Sequence, residues 1–509
     1  MGIVDLDRPG RVSVGRSWWG QSALLALVIL AAAVLRSTIL LTLDYYLQED
    51  ALITMRYAEN LAHGRGFVYN AGERVLGVTT PLYTLILAAM QKMGLDILRF
   101  GPLFGLICAL LVVWLVFRWL DDLNRPWAGV LAAVLLAFSP RFLFVSVAGM
   151  ETSLFVLLSV TALYTFSRWR YDWTAVALAA LLLTRPDGIL LVLILAIAYL
   201  LEHRPLRWRP VLVFSAVLAP WVIFATLYFG SPIPNSALAK VAAYTQGQAI
   251  SLSASVQWVL TFLRGEIFGP WIGTTVGLAF IVGCYQAATR ERRWLPAAAW
   301  TVAYFVVLIL SRSGHFFPWY FLAPLGAYCA VAALGVAAIA RRISALGSML
   351  GKRAWSVIAG LLVAAALVGS VFAWRAQYDI QYRTEVWWAN YERSFRKVIG
   401  EWLHDNTQTG ATVLLEPLGY IGYYSQRHMI DMVGLVAPQL SSIRRQAPLQ
   451  QTLGQIIRFT PADYLVLRES ELAWITGADL DYLQSQYRQA AQFSDPNPTL
   501  AFRVLEKIH

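Results

Sequence analysis

The chain has 509 residues, 58% of them hydrophobic and 14% charged, with a formal net charge of +11 and a mean hydropathy of +0.56. A soluble globular protein carries about 25% charged residues, so this composition excludes one and leaves lipid as the solvent for most of the chain. The positive charge gathers in short segments between apolar runs, where it sets membrane orientation; it does not point to nucleic acid.

In chain order, a basic leader (Arg8, Arg11, Arg16) precedes an apolar run at 20–43. That run is too long for a signal-peptide core and reads as a retained span. Further runs of about 17 apolar residues, with shorter ones accepted when paired around a polar break, predict spans at 97–118, 127–145, 152–168, 174–185, 188–202, 210–229, 271–288, 295–311, 320–340 and 355–374, about eleven in all. With a cytoplasmic N-terminus, the connections Arg118–Arg125, Arg168–Trp173, His203–Arg209, Thr289–Trp294 and Arg341–Arg353 fall inside, and nearly all are rich in Lys or Arg. The two spans flanking Arg185-Pro186-Asp187-Gly188 are short, which predicts a turn recessed below the outer surface.

The run Pro81–Met93 reaches only about 20 Å as a helix and cannot cross, so it is predicted to lie in the interface. This makes 44–96 one long external loop. Beyond 374 the composition turns polar: a helical stretch, Tyr391–His404, precedes strand-like runs at Thr412–Leu415 and Tyr464–Leu467. The expected fold class is an all-α polytopic membrane domain over 1–374 with a small extracytoplasmic α/β domain over 375–509. Such a chain is a multi-pass protein of the plasma or inner membrane. Cys108, Cys284 and Cys329 lie inside apolar runs and imply no disulfide framework.

The chemistry-bearing residues gather in the external segments. Glu49 and Asp50 begin an amphipathic helix with Leu52, Met55, Ala58, Leu61 and Ala62 on one face and Arg56, Glu59, Asn60 and His63 on the other. The free N–H groups of a helix start hold an acid ionised; the plain alternative is a solvated cap with no further role. A second acid, Glu151, lies in the turn between the third and fourth spans, on the same face of the membrane. Ionisable groups at membrane depth are expensive and mark sites.

The stretch Glu49-Asp50-Ala51-Leu52-Ile53-Thr54-Met55-Arg56-Tyr57-Ala58-Glu59-Asn60, continuing through Gly64-Arg65-Gly66-Phe67-Val68-Tyr69-Asn70 to Gly77-Val78-Thr79-Thr80-Pro81-Leu82, resembles the first external loop of bacterial membrane glycosyltransferases of the C superfamily. It is most similar to the arabinofuranosyltransferase-like and mannosyltransferase-like members. Gly149-Met150-Glu151-Thr152, Thr184-Arg185-Pro186-Asp187-Gly188, Pro234-Asn235-Ser236-Ala237-Leu238-Ala239-Lys240 and Asp431-Met432-Val433-Gly434-Leu435 extend the resemblance over most of the chain.

The resemblance implies a polyprenyl-phosphate sugar as donor, pentofuranose or hexose, and an extracytoplasmic glycan, glycolipid or protein as acceptor. It makes Asp50 the base, with Glu49 standing where the family pattern usually has a second aspartate. The departing phosphate calls for cations, with Arg56, Arg185, Lys240 and His315 as candidates. Asp187, Glu151, Asn235 and Tyr320 complete the expected binding set. A divalent cation, Mg or Mn, held by Asp50, Glu151 and His315 is an open alternative. Attack from the opposite side of the anomeric carbon inverts it, and no second acid is placed as a covalent nucleophile.

Each helper has a plain alternative. Arg185 and Asp187 can simply pair with each other, Lys240 can snorkel to headgroups, His315 can be an ordinary loop histidine, and Trp319 and Tyr320 can be belt aromatics. The competing functional classes are a transporter or flippase for lipid-linked sugars, which would show inverted repeats that the sequence lacks, and a noncatalytic scaffold, in which Asp50 would be replaceable. With no Cys/His cluster, Gly-rich phosphate loop or Ser-His-Asp order, zinc proteases, nucleotide-driven pumps and serine hydrolases are disfavoured.

Overall fold

The computed structural model describes residues 18–202, 207–241, 249–347 and 352–508. The basic leader with Arg8, Arg11 and Arg16 lies outside the described residues, as do 203–206 of the His203–Arg209 connection and 348–351 of Arg341–Arg353.

Helices occupy the predicted positions: Trp18–Thr42, Ile97–Asp122, Thr152–Ser167, Tyr171–Thr184, Ile189–Glu202, Arg209–Phe229, Pro270–Thr289, Leu295–Ser311, Leu325–Gly347 and Lys352–Tyr391. Six helices among the described residues are long and apolar enough to cross a bilayer, where the sequence led us to expect about eleven. Part of the difference lies in length, and the expected 355–374 span falls partly on residues whose side chains lie outside the described ones. Tyr171–Thr184 and Ile189–Glu202 have 14 residues each, about 21 Å of helix against a hydrocarbon core of about 30 Å.

The expected 127–145 span is in fact two helices, Pro126–Ala137 and Pro140–Val145. Pro140 supplies no N–H and disfavours helical backbone at Ser139. The freed carbonyls find other donors: Ala137 O accepts from the buried Arg36 guanidinium at 3.0 Å, and Phe138 O accepts from Trp374 Nε1 at 2.7 Å. Elsewhere the bundle relies on small residues. A Cβ added at Gly335 would lie 1.8 Å from Ala279 O, so Leu325–Gly347 and Pro270–Thr289 pack backbone to backbone, the close approach that membrane helices use where lipid removes the hydrophobic drive.

The helix Lys352–Tyr391 runs on through a widened turn, Glu392–Lys397, into Val398–Asn406. A five-stranded sheet follows: β1 (Thr412–Leu415), β2 (His428–Asp431), β3 (Tyr464–Arg468), β4 (Tyr487–Phe493) and β5 (Phe502–Lys507), in the order β2-β1-β3-β5-β4. β1 is parallel to β2 and β3, with Leu414 opposite Ile430 and Leu465, while β5 is antiparallel to β3 and β4.

Val413, Leu415, Val466, Phe502 and Val504 face one side of the sheet, packed with Ile399, Leu403 and Ile421 and with Ile53, Tyr57, Phe67, Tyr69 and Val78 of the 44–96 segment. Leu414, Leu465, Leu467 and Leu505 face the other, against Leu453, Ile456 and Ile457 of the helix Leu449–Phe459. Both faces are covered, which is why β1 and β3 read as continuous apolar runs. Between the 44–96 segment and the sheet lie no loose ends: the first external loop predicted from sequence is a structural layer under the C-terminal strands.

A buried charge sits at this junction. Glu392 is 2% exposed and accepts from Arg396 Nη1 at 2.7 Å, and burial pushes its carboxyl up to about 8 although Arg396 opposes the shift. A carboxyl raised on folding binds its proton more tightly in the folded state, so its contribution is complete below an unfolded value of about 4.5 and is lost as pH rises through about 8. The apparent melting temperature of the purified protein is therefore expected to fall from pH 5 to pH 8, and less so in Glu392→Gln. Parallel profiles for the two proteins, recorded by thermal unfolding across that range, would remove the assignment.

Candidate active site

The helix Glu49–Ala62 starts where Gln48 is extended (φ −66°, ψ 144°). Its N–H donates to Ala148 O at 3.0 Å, which pins the first helical turn to the turn that carries Glu151. Gly419 completes the seat from the C-terminal side. A Cβ there would lie 2.2 Å from Glu49 O, so the two backbones touch and only glycine fits.

This arrangement opens one cavity of about 60 Å³, lined by residues that include Asp50, Thr54, Thr79, Thr80, Glu151, Arg185, Ser236, Lys240, Trp319, Tyr320 and Leu435. Segments 50, 151, 185, 240 and 320, far apart in sequence, converge here. Lys240 Nζ is 3.3 Å from Asp50 Oδ2 and 5.4 Å from the centre of the Phe317 ring. Arg185 forks onto Asp187, Nε to Oδ1 at 3.1 Å and Nη2 to Oδ2 at 2.7 Å, and Tyr304 donates to the same Oδ2 at 2.7 Å.

The Arg185 guanidinium also lies between the Phe155 and Tyr320 rings, at 5.0 and 4.9 Å. Its remaining nitrogen, Nη1, is buried with no hydrogen-bond partner, as is Ser236 Oγ. A buried donor left unpaired costs about 1–3 kcal/mol, and here both belong to residues that line the cavity. Glu151 is buried, and burial holds its carboxyl above the usual range against the pull of Arg185. Asp50 and Glu151 thus stand on one wall, with Lys240 and Arg185 as their cationic counterparts.

Five expected site residues do not line the cavity, and one of them, Asp187, is held by the Arg185 fork. Glu49 points away from the cavity, accepting from Gly419 N–H at 2.7 Å and lying 3.7 Å from Arg396. Arg56 is committed to the carbonyls of Tyr69, Gly422 and Arg427. Asn235 donates to Gly434 O and Leu435 O at 2.7 and 2.9 Å, fastening the Asn235–Val241 helix to the loop after β2. His315 sits beside the cavity, in electrostatic reach of Glu416, Asp50 and Lys240. Arg185 and Asp187 do pair with each other, and the fork uses only two of the three guanidinium nitrogens.

Lys240 meets a carboxylate rather than snorkelling, and Trp319 is buried instead of facing lipid. Among the described residues no three His, Cys, Asp or Glu side chains converge on a metal position. The two acids face a lysine and an arginine, a donor set that does not fit a divalent cation.

Sequence reasoning passed over Ser236, Thr80, Tyr304 and Leu435. Ser236 and Leu435 fall inside quoted motifs, next to Asn235 and Gly434, and that adjacency was the only available signal. Leu435 reaches the cavity because Asp431, fully buried, accepts from the N–H groups of Leu435, Val436 and Ala437 at 2.6–3.1 Å, winding the loop around one carboxylate. Gly434, at φ +89°, makes the turn.

A family model described as a domain of unknown function (DUF8728) matches residues 378–505. No curated protein sequence matches the chain significantly. Among solved structures, ArnT from Cupriavidus metallidurans bound to undecaprenyl phosphate aligns with a TM-score of 0.59 at 13% identity, covering 96% of this chain and 98% of that one. Its apo form aligns at 0.60 with 14% identity over the same shares. The archaeal oligosaccharyltransferase AglB from Archaeoglobus fulgidus, in complex with an inhibitory peptide and a dolichol-phosphate, aligns at 0.59 with 13% identity, over 97% of this chain and 75% of that one. The chain shares the fold of these structures. It is a multi-pass membrane protein whose helices carry that fold and whose C-terminal sheet is packed onto it.

Proposed function

We propose that this protein is a membrane glycosyltransferase that moves a pentofuranose or hexose from a polyprenyl-phosphate donor to an acceptor hydroxyl outside the cytoplasm, with inversion at the anomeric carbon. The observation that carries the reading is the cavity itself: a carboxylate, Asp50, opposite a lysine and an arginine whose Nη1 awaits a partner. An acid and cations in one concave site suit a reaction that consumes a proton-bearing nucleophile and releases an anion. That structures of the same fold hold undecaprenyl phosphate and dolichol-phosphate supports the choice of donor.

In this reading the acceptor hydroxyl enters beside Asp50. Its oxygen bonds to the anomeric carbon from the side opposite the phosphate while Asp50 takes its proton, a contribution of about 100- to 10,000-fold. The bond from the anomeric carbon to the phosphate oxygen breaks, and the released charge falls to Arg185 and Lys240. Glu151, Ser236 and Thr80 hold sugar hydroxyls, and Tyr320 keeps the Arg185 plane fixed. Glu49 serves as a positioning residue, tying the first turn of the Asp50 helix to Gly419 and Arg396. The chain lies in the cell's inner or plasma membrane, with its N-terminus cytoplasmic and the 375–509 region on the outer side, and it acts in the assembly of envelope glycans.

Purified protein offered a panel of radiolabelled synthetic polyprenyl-phosphate pentoses and hexoses is expected to transfer label from one of them to an acceptor extract. Movement of donors between leaflets without transfer from any of them would replace this reading with a flippase.

A further inference from the structure

A second cavity, about 880 Å³, lies between the far end of the Asp50 helix and the sheet region, lined by residues that include Arg56, Glu59, Arg65, Thr409 and Arg427. Asp50 and Glu59 are nine residues apart on that helix, so this cavity opens about 14 Å along its axis from the transfer site. Most of the residues that line it are polar, His404 and His428 among them, and the Arg56 guanidinium covers the ring of Tyr69 at 4.2 Å. Such a surface suits neither an acyl chain nor an apolar peptide. Its size is that of a site for several sugar rings.

The charge balance is specific. Arg56 and Arg427 are 4% and 5% exposed, and among the described residues neither is in an ion pair, although Asp405 lies in electrostatic reach of Arg427. Arg56 donates to three backbone carbonyls. Arg427 donates to the carbonyls of Ser425, His404 and Thr407 and to the Thr407 hydroxyl. Arg65, at the exposed rim, donates to Asn60 Oδ1 at 3.1 Å. Among the described residues Glu59 is the only acid in the lining, and it accepts from Gln426 Nε2 at 3.4 Å. Carbonyl dipoles satisfy the N–H groups of a buried guanidinium but leave its net charge uncompensated, which is costly away from water.

We infer that this cavity binds an anionic saccharide segment, whose carboxylate or phosphate groups meet the excess positive charge of Arg56, Arg65 and Arg427. As the docking groove of an acceptor chain, a role that rests on the transferase reading, it would hold the polymer several sugar units from the hydroxyl that reacts beside Asp50.

The test is direct binding to the full-length protein, by titration calorimetry in detergent, of an oligogalacturonate, a phosphorylated oligosaccharide and a neutral maltooligosaccharide of matched length. At least one acidic probe is expected to bind ten or more times tighter than the neutral one, and which of the two does so assigns carboxylate or phosphate. Thr409→Glu, which adds an acid at an exposed rim position without touching the buried arginines, and Arg65→Gln should each weaken that binding at least fivefold, with unchanged thermal unfolding as the folding control. Equal binding of the neutral probe, absence of binding by both acids, or acidic binding indifferent to Thr409→Glu overturns the inference. Transfer activity without acidic binding would sink only this inference, and acidic binding without transfer would sink only the transferase reading.

Discussion

Asp50→Asn is expected to lower the transfer rate by about 100- to 10,000-fold while leaving donor binding and folding intact. Asparagine keeps the shape of the side chain but cannot accept the acceptor's proton, and the helix start that holds it is fixed by Gln48–Ala148 and Glu49–Gly419 contacts, none of which uses the Asp50 carboxyl. Initial rates with saturating donor, set beside donor affinity measured separately, separate the base role from a binding role. A variant that loses affinity but keeps its turnover would mean that Asp50 orients substrate rather than accepting a proton. Glu49→Gln is the informative neighbour: its carboxylate is spent on Gly419 and Arg396, so its loss should cost stability before it costs turnover.

Arg185→Gln is expected to reduce turnover by about 100- to 1,000-fold, the scale seen when one fixed donor to developing negative charge is removed. The side chain enters the cavity already aimed. Two of its nitrogens are held by Asp187, its plane is held between Phe155 and Tyr320, and the third nitrogen has no partner among the described residues. Glutamine retains some of the hydrogen bonding and none of the charge. Tyr304→Phe, which removes only one of the donors to Asp187, should give a much smaller loss. Rates within about fivefold of wild type for Arg185→Gln would show that the phosphate is met by Lys240 alone, and donor analogues lacking the phosphate charge would then discriminate poorly between the two proteins.

Much of the fold was legible because lipid imposes a simple rule on sequence: long apolar runs become helices, and the helices stand where those runs do. Count was harder than position. The 14-residue pair around Arg185 and the run broken at Pro140 look like spans by composition; the pair is too short to cross, and the carbonyls freed before Pro140 are met by Arg36 and Trp374, partners that no local window contains. The strands β1 and β3 were visible as short apolar runs; β2, β4 and β5 were not singled out, since alternating or mixed burial in a small sheet leaves little local signal.

The site divides in the same way. Asp50, Glu151, Arg185, Lys240 and Tyr320 were named from sequence and meet in one cavity, because an ionisable group beside a membrane helix is expensive enough to be noticed wherever it occurs. Glu49, Arg56 and Asn235 carry equally conspicuous chemistry and turn instead to the C-terminal strands and their loops. Side chains one position apart on a helix point about 100° apart, so Glu49 and Asp50 were bound to face different neighbours; which of them met the substrate cavity depended on where the 410–437 segment docks. Residue type and hydropathy, which act locally, determined the membrane class, the helix positions and the acids worth watching. Long-range packing between the first loop and the C-terminal sheet decided which of those acids lines the cavity, because only a folded neighbour can occupy a charge that the sequence leaves open.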